Sequence, residues 1–207
     1  MYQYTHTWFF SSAIYEKICD MVDVSAPHTI LEIGCYEGLS SVFFADKLLA
    51  HPESTLTCVD PFLTIDTNDH AGLMSNQTEE YFDSNIRSCQ HPDRVTVHKI
   101  TSDAFFPQNK ATYDIIYIDG CHEHDFITRD MENSFAVLRP GGMMWMDDYL
   151  GGDGIQIKAV MDRFLKAHEG EYEIIYKLYQ LAIRKVETAA TGGPHSVNPH
   201  PSTDISL

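Results

Sequence analysis

Basic residues are scarce in this chain. Its 207 residues hold 14 Lys and Arg against 30 Asp and Glu, for a formal net charge of −16. Tight binding to nucleic acid or to an anionic membrane surface needs clustered cations, so neither partner is expected. No run approaches the roughly 20 consecutive apolar residues that span a bilayer. The aromatic stretch at residues 1–10 lacks the basic flank of a secretory signal. The five cysteines (Cys19, Cys35, Cys58, Cys89 and Cys121) form no C-x-x-C pair. That argues against a disulfide framework or structural zinc and for reduced, cytoplasmic thiols, with Cys35 and Cys58 as small core residues. No internal repeat is present. What remains, 43% hydrophobic and 12% aromatic, suffices for one packed domain. Most of the acids solvate the surface; a few turned inward would hold a cation or a cationic substrate.

Apolar periodicity then gives alternating helices and strands. Residues 11–24 read as a helix, with Ile14, Ile18, Met21 and Val22 at helical spacing. Residues 29–34 (TILEIG) read as a buried strand and 39–50 as a helix that Ser40 and Ser41 are placed to cap. Further strands are expected at 55–60, 94–100, 113–119 and 143–147, with helices at 81–89, 126–137 and 155–168. Pro140, Gly141 and Gly142 read as a turn. Residues 172–185 read as two antiparallel strands broken near 178–180. The expected fold is α/β: a doubly wound, mostly parallel seven-stranded sheet with an antiparallel C-terminal edge. One domain spans residues 1–187, with 1–25 as an N-terminal helix and lid and 61–82 as a lid loop. The Ser-, Pro-, Gly- and His-rich residues 188–207 read as a disordered tail.

In such sheets ligands bind beyond the carboxyl ends of the strands. The first strand opens into Glu32-Ile33-Gly34-Cys35-Tyr36-Glu37-Gly38. Tyr36 stands where the dinucleotide fingerprint has its second glycine, which opposes a dehydrogenase. Glu32 is costly inside an apolar strand unless it meets a partner or a ligand. Asp60 ends the second strand and suits the two hydroxyls of a ribose, or a turn before Pro61. Ser102 and Asp103 follow the third strand, facing an adenine edge or forming a turn.

The runs ILEIGCYEGLSS, VDPF, TSDAF, YDIIYIDGCHEHDF and LRPGGMMWMDDY together resemble the class I S-adenosylmethionine-dependent methyltransferases. Within them the chain is similar to the small metal-dependent O-methyltransferases of catechol, caffeoyl-coenzyme A, macrolide and aminocoumarin sugar type. The resemblance implies that Glu32, Gly34, Tyr36, Gly38 and Ser40 line the methionine and ribose part of the cofactor site. It implies Asp60 on the ribose, Ser102 and Asp103 on the adenine, and Asp119 at the junction of cofactor, metal and catalysis.

Asp119 ends one strand, and Asp147 and Asp148 end the next. Converging carboxylates without basic neighbours repel one another, and a hard cation, Mg²⁺ first, relieves them. The resemblance makes these three the metal ligands. His122 is the candidate general base, or a residue beside the cofactor. Related chains read Asp-Gly-Asp-His where this one has Asp119-Gly120-Cys121-His122. Tyr149, Trp145, Tyr2, Tyr4, Trp8, Phe9 and Phe10 are candidates for an acceptor wall, or for core. The expected reaction is O-methylation of a hydroxyl on a small molecule. The alternatives are a metal-independent methyltransferase acting on O, N or C, and a cofactor-binding homologue without activity. The oligomeric state stays open, a homodimer among the options.

Overall fold

A computed structural model describes residues 2–7, 9, 14–63, 76–151 and 154–187. Its helices are α1 (Ile14–Met21), α2 (Leu39–Leu48), α3 (Asn76–Ser88), α4 (Ser102–Phe105), α5 (His124–Val137) and α6 (Gly154–Ala167). Its strands are β1 (Thr29–Ile33), β2 (Thr55–Val59), β3 (Val95–His98), β4 (Tyr113–Ile118), β5 (Leu138–Met146), β6 (Tyr172–Lys177) and β7 (Leu181–Lys185). They form one sheet in the order β3-β2-β1-β4-β5-β7-β6. β1 to β5 are parallel, and β7 lies antiparallel between β5 and β6. The expected seven-stranded, doubly wound sheet is therefore present.

The strands read as continuous apolar runs because both faces are covered. Ile30, Cys58, Ile115, Tyr117, Trp145 and Ala182 pack on one face with Phe44 and Leu48 of α2. Leu31, Val59, Ile116, Ile118, Met144 and Ile183 pack on the other with α5 and α6. The chain leaves β1 toward β2 and β3, then returns to build β4 and β5 on the opposite side. The switch point, and the crevice it opens, lies at the ends of β1 and β4.

Three expectations need correction. Pro140, Gly141 and Gly142 do not end a turn; they lie within β5, whose pairing with β4 jumps from Tyr113–Leu138 to Ile115–Met143. Gly141 takes φ +78° there, so the strand absorbs the extra residues as an irregularity and continues. Ser40 and Ser41 do not cap α2; Gly38, at φ +79°, precedes it without a side-chain cap. Residues 76–82, expected in a lid loop, form the first turns of α3, and buried Phe82 packs on Phe62 with ring centroids 4.9 Å apart. Trp145 is wholly buried against Tyr176, and Phe9 packs on Phe43, Phe44 and Tyr117, so of the two readings offered for these aromatics both follow the core one. Residues 64–75 of the expected loop, the expected tail, Trp8 and Phe10 lie outside the described residues.

Candidate functional site

The turn after β1 is built on two close approaches. Gly34 has φ +83°, and a Cβ there would stand 2.0 Å from the Asp119 carbonyl oxygen. Only glycine lets β1 and β4 end this close together. Asp60 then fixes the turn from below. Its Oδ2 accepts from the Cys35 and Tyr36 amides at 2.7 and 3.1 Å, and its Oδ1 accepts from the Phe62 amide at 2.7 Å. Burial pushes the Asp60 carboxyl up, and the three amide bonds pull it back toward the ionised form. Asp60 thus organises the glycine loop, and each of its oxygens can accept more than one bond.

Glu32 finds its partners within the chain. It is fully buried, and the Ser40 and Ser41 hydroxyls donate to its two oxygens, with Cys58 Sγ at 3.4 Å. Those serines hold α2 against β1 in place of a cap. Burial pushes the Glu32 carboxyl up to about 7, against the hydrogen bonds that favour its charge.

The N-terminal segment lies across the same loop. Buried Glu37 accepts from the Thr5 amide and hydroxyl, both at 2.6 Å. The Tyr36 hydroxyl sits 3.2 Å from Thr5 Oγ1 and 3.2 Å from His6 Nδ1. Asn85 of α3 clasps Gln3 through both backbone groups and donates to the Glu37 carbonyl as well.

At the end of β3, Thr101 caps α4 and Asp103 forks onto Arg129 at 2.8 and 2.9 Å, in solvent. Asp130, an acid of α5 that is 3% exposed and was not apparent from the sequence, is steadied in its charged form by Ser102. Burial lifts Asp130 to about 6.

The ends of β4 and β5 bring Asp119, Asp147 and Asp148 together as expected. Burial first, then Asp147 and Asp148, raise the Asp119 carboxyl well above the usual range; burial and Asp148 raise Asp147 too. Asp148 turns out of the strand at φ +58°. That bend lets two successive acids serve one place despite strand alternation. Their partners differ, however. Asp147 Oδ1 accepts from the Gln180 amide at 2.7 Å and the Asp148 amide at 2.9 Å, and its Oδ2 accepts from the Tyr117 hydroxyl at 3.0 Å. Asp148 Oδ2 lies 2.9 Å from His122 Nε2. The ligand atoms that converge within 4.8 Å of one another belong to Asp119, His122 and Asp148. This donor set, two carboxylates and an imidazole, fits a divalent cation, with Asp147 locked beside it by Tyr117 and Gln180. His122 thus joins the acids, and Tyr117, Tyr179 and Gln180 are site residues the sequence did not announce. Tyr117 was within reach of strand alternation, being two residues before Asp119. Gln180 and Tyr179 become visible only once β7 is known to lie beside β5.

A protein-family model described as a methyltransferase domain matches residues 31–149. No curated protein matches the sequence. Among solved structures the chain is similar to the O-methyltransferase from Bacillus cereus in complex with SAH, at 17% identity and a TM-score of 0.64, over 84% of this chain and 81% of that one. It is similar to the O-methyltransferase TomG from Streptomyces achromogenes, involved in tomaymycin synthesis and in complex with SAM, at 17% identity and 0.63, over 86% and 81%. It is also similar to a Clostridium thermocellum protein assigned as an rRNA methylase, at 14% identity and 0.66, over 90% and 99%. At these identities the likeness is one of fold.

Proposed function

This chain belongs to the methyltransferase family matched over residues 31–149, and from that premise we propose that it methylates a hydroxyl of a small molecule with divalent-cation assistance. It is an S-adenosylmethionine-dependent methyltransferase. The observation that carries the finer reading is the convergence of Asp119, Asp148 and His122 within 4.8 Å, beside the glycine loop at the sheet's switch point.

The cofactor lies, in this reading, across the loop at Gly34 to Gly38, with Tyr36 and Ser40 beside its methionine part. Glu32 acts from within, holding α2 through Ser40 and Ser41. Asp60 would hold the ribose hydroxyls, and Ser102 would stand on the adenine side. Asp103, drawn to Arg129, frames that pocket from outside. Asp119, Asp147 and Asp148 would hold the cation, with the His122 imidazole beside them. When bound, such an ion lowers the pKa of an acceptor hydroxyl and positions its oxygen.

His122 takes the proton. Its Nε2 faces Asp148 Oδ2, which favours the tautomer with hydrogen on Nε2 and makes Nδ1 the basic nitrogen. When bound, the cofactor would supply a methyl group that leaves its sulfur for the acceptor oxygen, and His122 would take the hydroxyl proton released. The imidazolium so formed is stabilised by Asp148. Holding acceptor and methyl in line supplies much of the acceleration.

The test is SAH release with a panel of phenols, catechols and sugars, with and without EDTA. Activity on a hydroxylated acceptor that collapses in EDTA and in Asp148→Asn is expected. Turnover indifferent to EDTA would leave a metal-independent methyltransferase instead.

A further inference from the structure

The crossover from β3 to β4 is carried by α4, a helix of 4 residues, where α2 has 10, α3 13, and α5 and α6 14 each. So short a helix leaves part of β2 and β3 open on the face that α5 and α6 cover further along the sheet. None of the 4 residues of β3 is buried. A cavity of about 280 Å³ opens there, between these strands and the segment that returns to β4. Thr57 of β2 and His98 of β3 line it from the sheet, Phe105 and Tyr113 supply its rings, and exposed Lys110 stands at its mouth. No residue of the glycine loop or of the acid–histidine edge lines it. An occupant is therefore neither the cofactor nor the methyl acceptor.

The cavity is built in advance of any ligand. The His98 ring meets that of Phe105 with centroids 5.1 Å apart. Tyr113 donates its hydroxyl to Asn109 Oδ1 at 3.1 Å, and the Asn109 side chain closes on both backbone groups of Ala111. The Gln108 and Asn109 amides both donate to the Phe105 carbonyl at 3.0 Å. The segment beside the cavity is thus tied to its aromatic wall, and little ordering is left to be done on binding. Its charge runs against that of the chain. Acids outnumber Lys and Arg by 30 to 14, yet none lines this cavity, which carries an imidazole and an ammonium. Lys99, next to His98, turns to the opposite face and pairs with Glu79 and Asp83. Among the described residues no acid forms an ion pair with Lys110.

We propose that this cavity is a binding site for an aromatic monocarboxylate of one or two fused rings. Its volume lies near the lower end of small-ligand pockets, which excludes a nucleotide or a folded peptide. The rings of Phe105, Tyr113 and His98 suit a flat apolar body in offset or edge contact. One ammonium at the mouth balances one carboxylate, through a charge-assisted hydrogen bond. A phosphate ester would bring a second negative charge with no second lysine to meet it. The site stands apart from the methyltransferase reading and does not depend on it.

Calorimetry on the full chain tests this with 2-naphthoate, its neutral isostere 2-naphthamide, benzoate and acetate, each titrated with and without saturating SAH. 2-Naphthoate is expected to bind about tenfold tighter than 2-naphthamide, which lacks the charge, and about tenfold tighter than benzoate, which buries one ring fewer. Acetate is expected to give no binding heat, and SAH is expected not to displace 2-naphthoate. Lys110→Gln should cost 2-naphthoate about tenfold and 2-naphthamide nothing. Lys47→Gln, on α2 across the sheet, should cost neither. Thr57→Leu, which fills the cavity from β2, should weaken both naphthyl ligands. Equal affinity for acid and amide, undiminished 2-naphthoate affinity in Lys110→Gln, displacement by SAH, or no binding of 2-naphthoate overturns the proposal. If Thr57→Leu fails to fold, the comparison of Lys110→Gln with Lys47→Gln decides alone. SAH that does not bind counts against the methyltransferase reading, and the titrations without it still decide the cavity.

Discussion

Replacing Gly34 by alanine is expected to damage the site through backbone contact, and the structure supplies its own control. The added methyl would stand 2.0 Å from the Asp119 carbonyl oxygen, 2.5 Å from its carbon and 2.7 Å from the Gly120 Cα. Carbon and oxygen ordinarily approach to about 3.3 Å, so the overlap exceeds an ångström and its partners are main chain. The ends of β1 and β4 must separate. Two costs add: a left-handed conformation for a residue with a side chain, about 1–2 kcal/mol, and forced backbone displacement, about 1–3 kcal/mol. Gly170 isolates the first cost. Its φ is +90°, and a Cβ there meets nothing within 4 Å. Gly170→Ala is therefore expected to lose only about 1–2 kcal/mol in urea unfolding, with SAH affinity intact. Gly34→Ala is expected to lose about 2–5 kcal/mol and to weaken SAH binding by about tenfold or more, because the amides of Cys35 and Tyr36 move with the loop. Equal losses for the two variants, or unchanged SAH affinity in Gly34→Ala, would refute the close-approach argument.

Other outcomes follow from the same geometry. Asp60→Asn turns an acceptor of three amides into a group that can accept on one side only. At least one buried amide then loses its partner, at about 1–3 kcal/mol, and SAH affinity should fall with stability in parallel titrations. Glu32, raised from the usual 4.5 to about 7, binds a proton in the folded state that the unfolded chain has released. Stability therefore falls as pH rises from about 4.5 to 7, by on the order of 3 kcal/mol, and the whole cost is present above that window. Urea midpoints of Glu32→Gln should fall less over this range than those of wild type; parallel pH profiles would contradict it. Asp103→Ala removes a solvent-exposed pair with Arg129 and should change stability by less than about 1 kcal/mol, so any larger loss must appear in SAH affinity. His122→Gln is expected to lower kcat by about 10² to 10⁴ while SAH affinity holds; equal losses in both would make His122 a cofactor contact.

Much of the sheet was legible because strands covered on both faces must be largely apolar, as TILEI and YDIIYI are apart from Glu32 and Asp114. The glycine loop, Asp60 and the three strand-end acids were legible too, since the carboxyl ends of parallel strands are where ligands bind. What escaped is contact between segments distant in sequence. Pro140-Gly141-Gly142 carries the composition of a turn, yet pairing with β4 before it at Leu138 and after it at Met143 keeps it within β5. Ser40 and Ser41 suit capping by type, but a buried carboxylate on β1 is a stronger acceptor than water and claims both hydroxyls. Gln180 sits 33 residues from its partner Asp147, and no local pattern links them.

The placing of β7 bears on how the molecule can be made. Among the described residues the last strand in sequence is not the last in the sheet: it fills the gap between β5 and β6. During vectorial synthesis β6 emerges with nothing to pair with, and β5 presents an open edge, until residues 181–185 follow. The amide of Gln180, which steadies Asp147, arrives in the same step. A chain arrested shortly before β7 would thus carry the glycine loop and the three acids, yet expose two sticky strand edges and leave Asp147 without one of its three donors. Completion of the site and protection from aggregation are a single event, so nascent chains of this protein should depend on chaperones most until residues 181–185 have emerged.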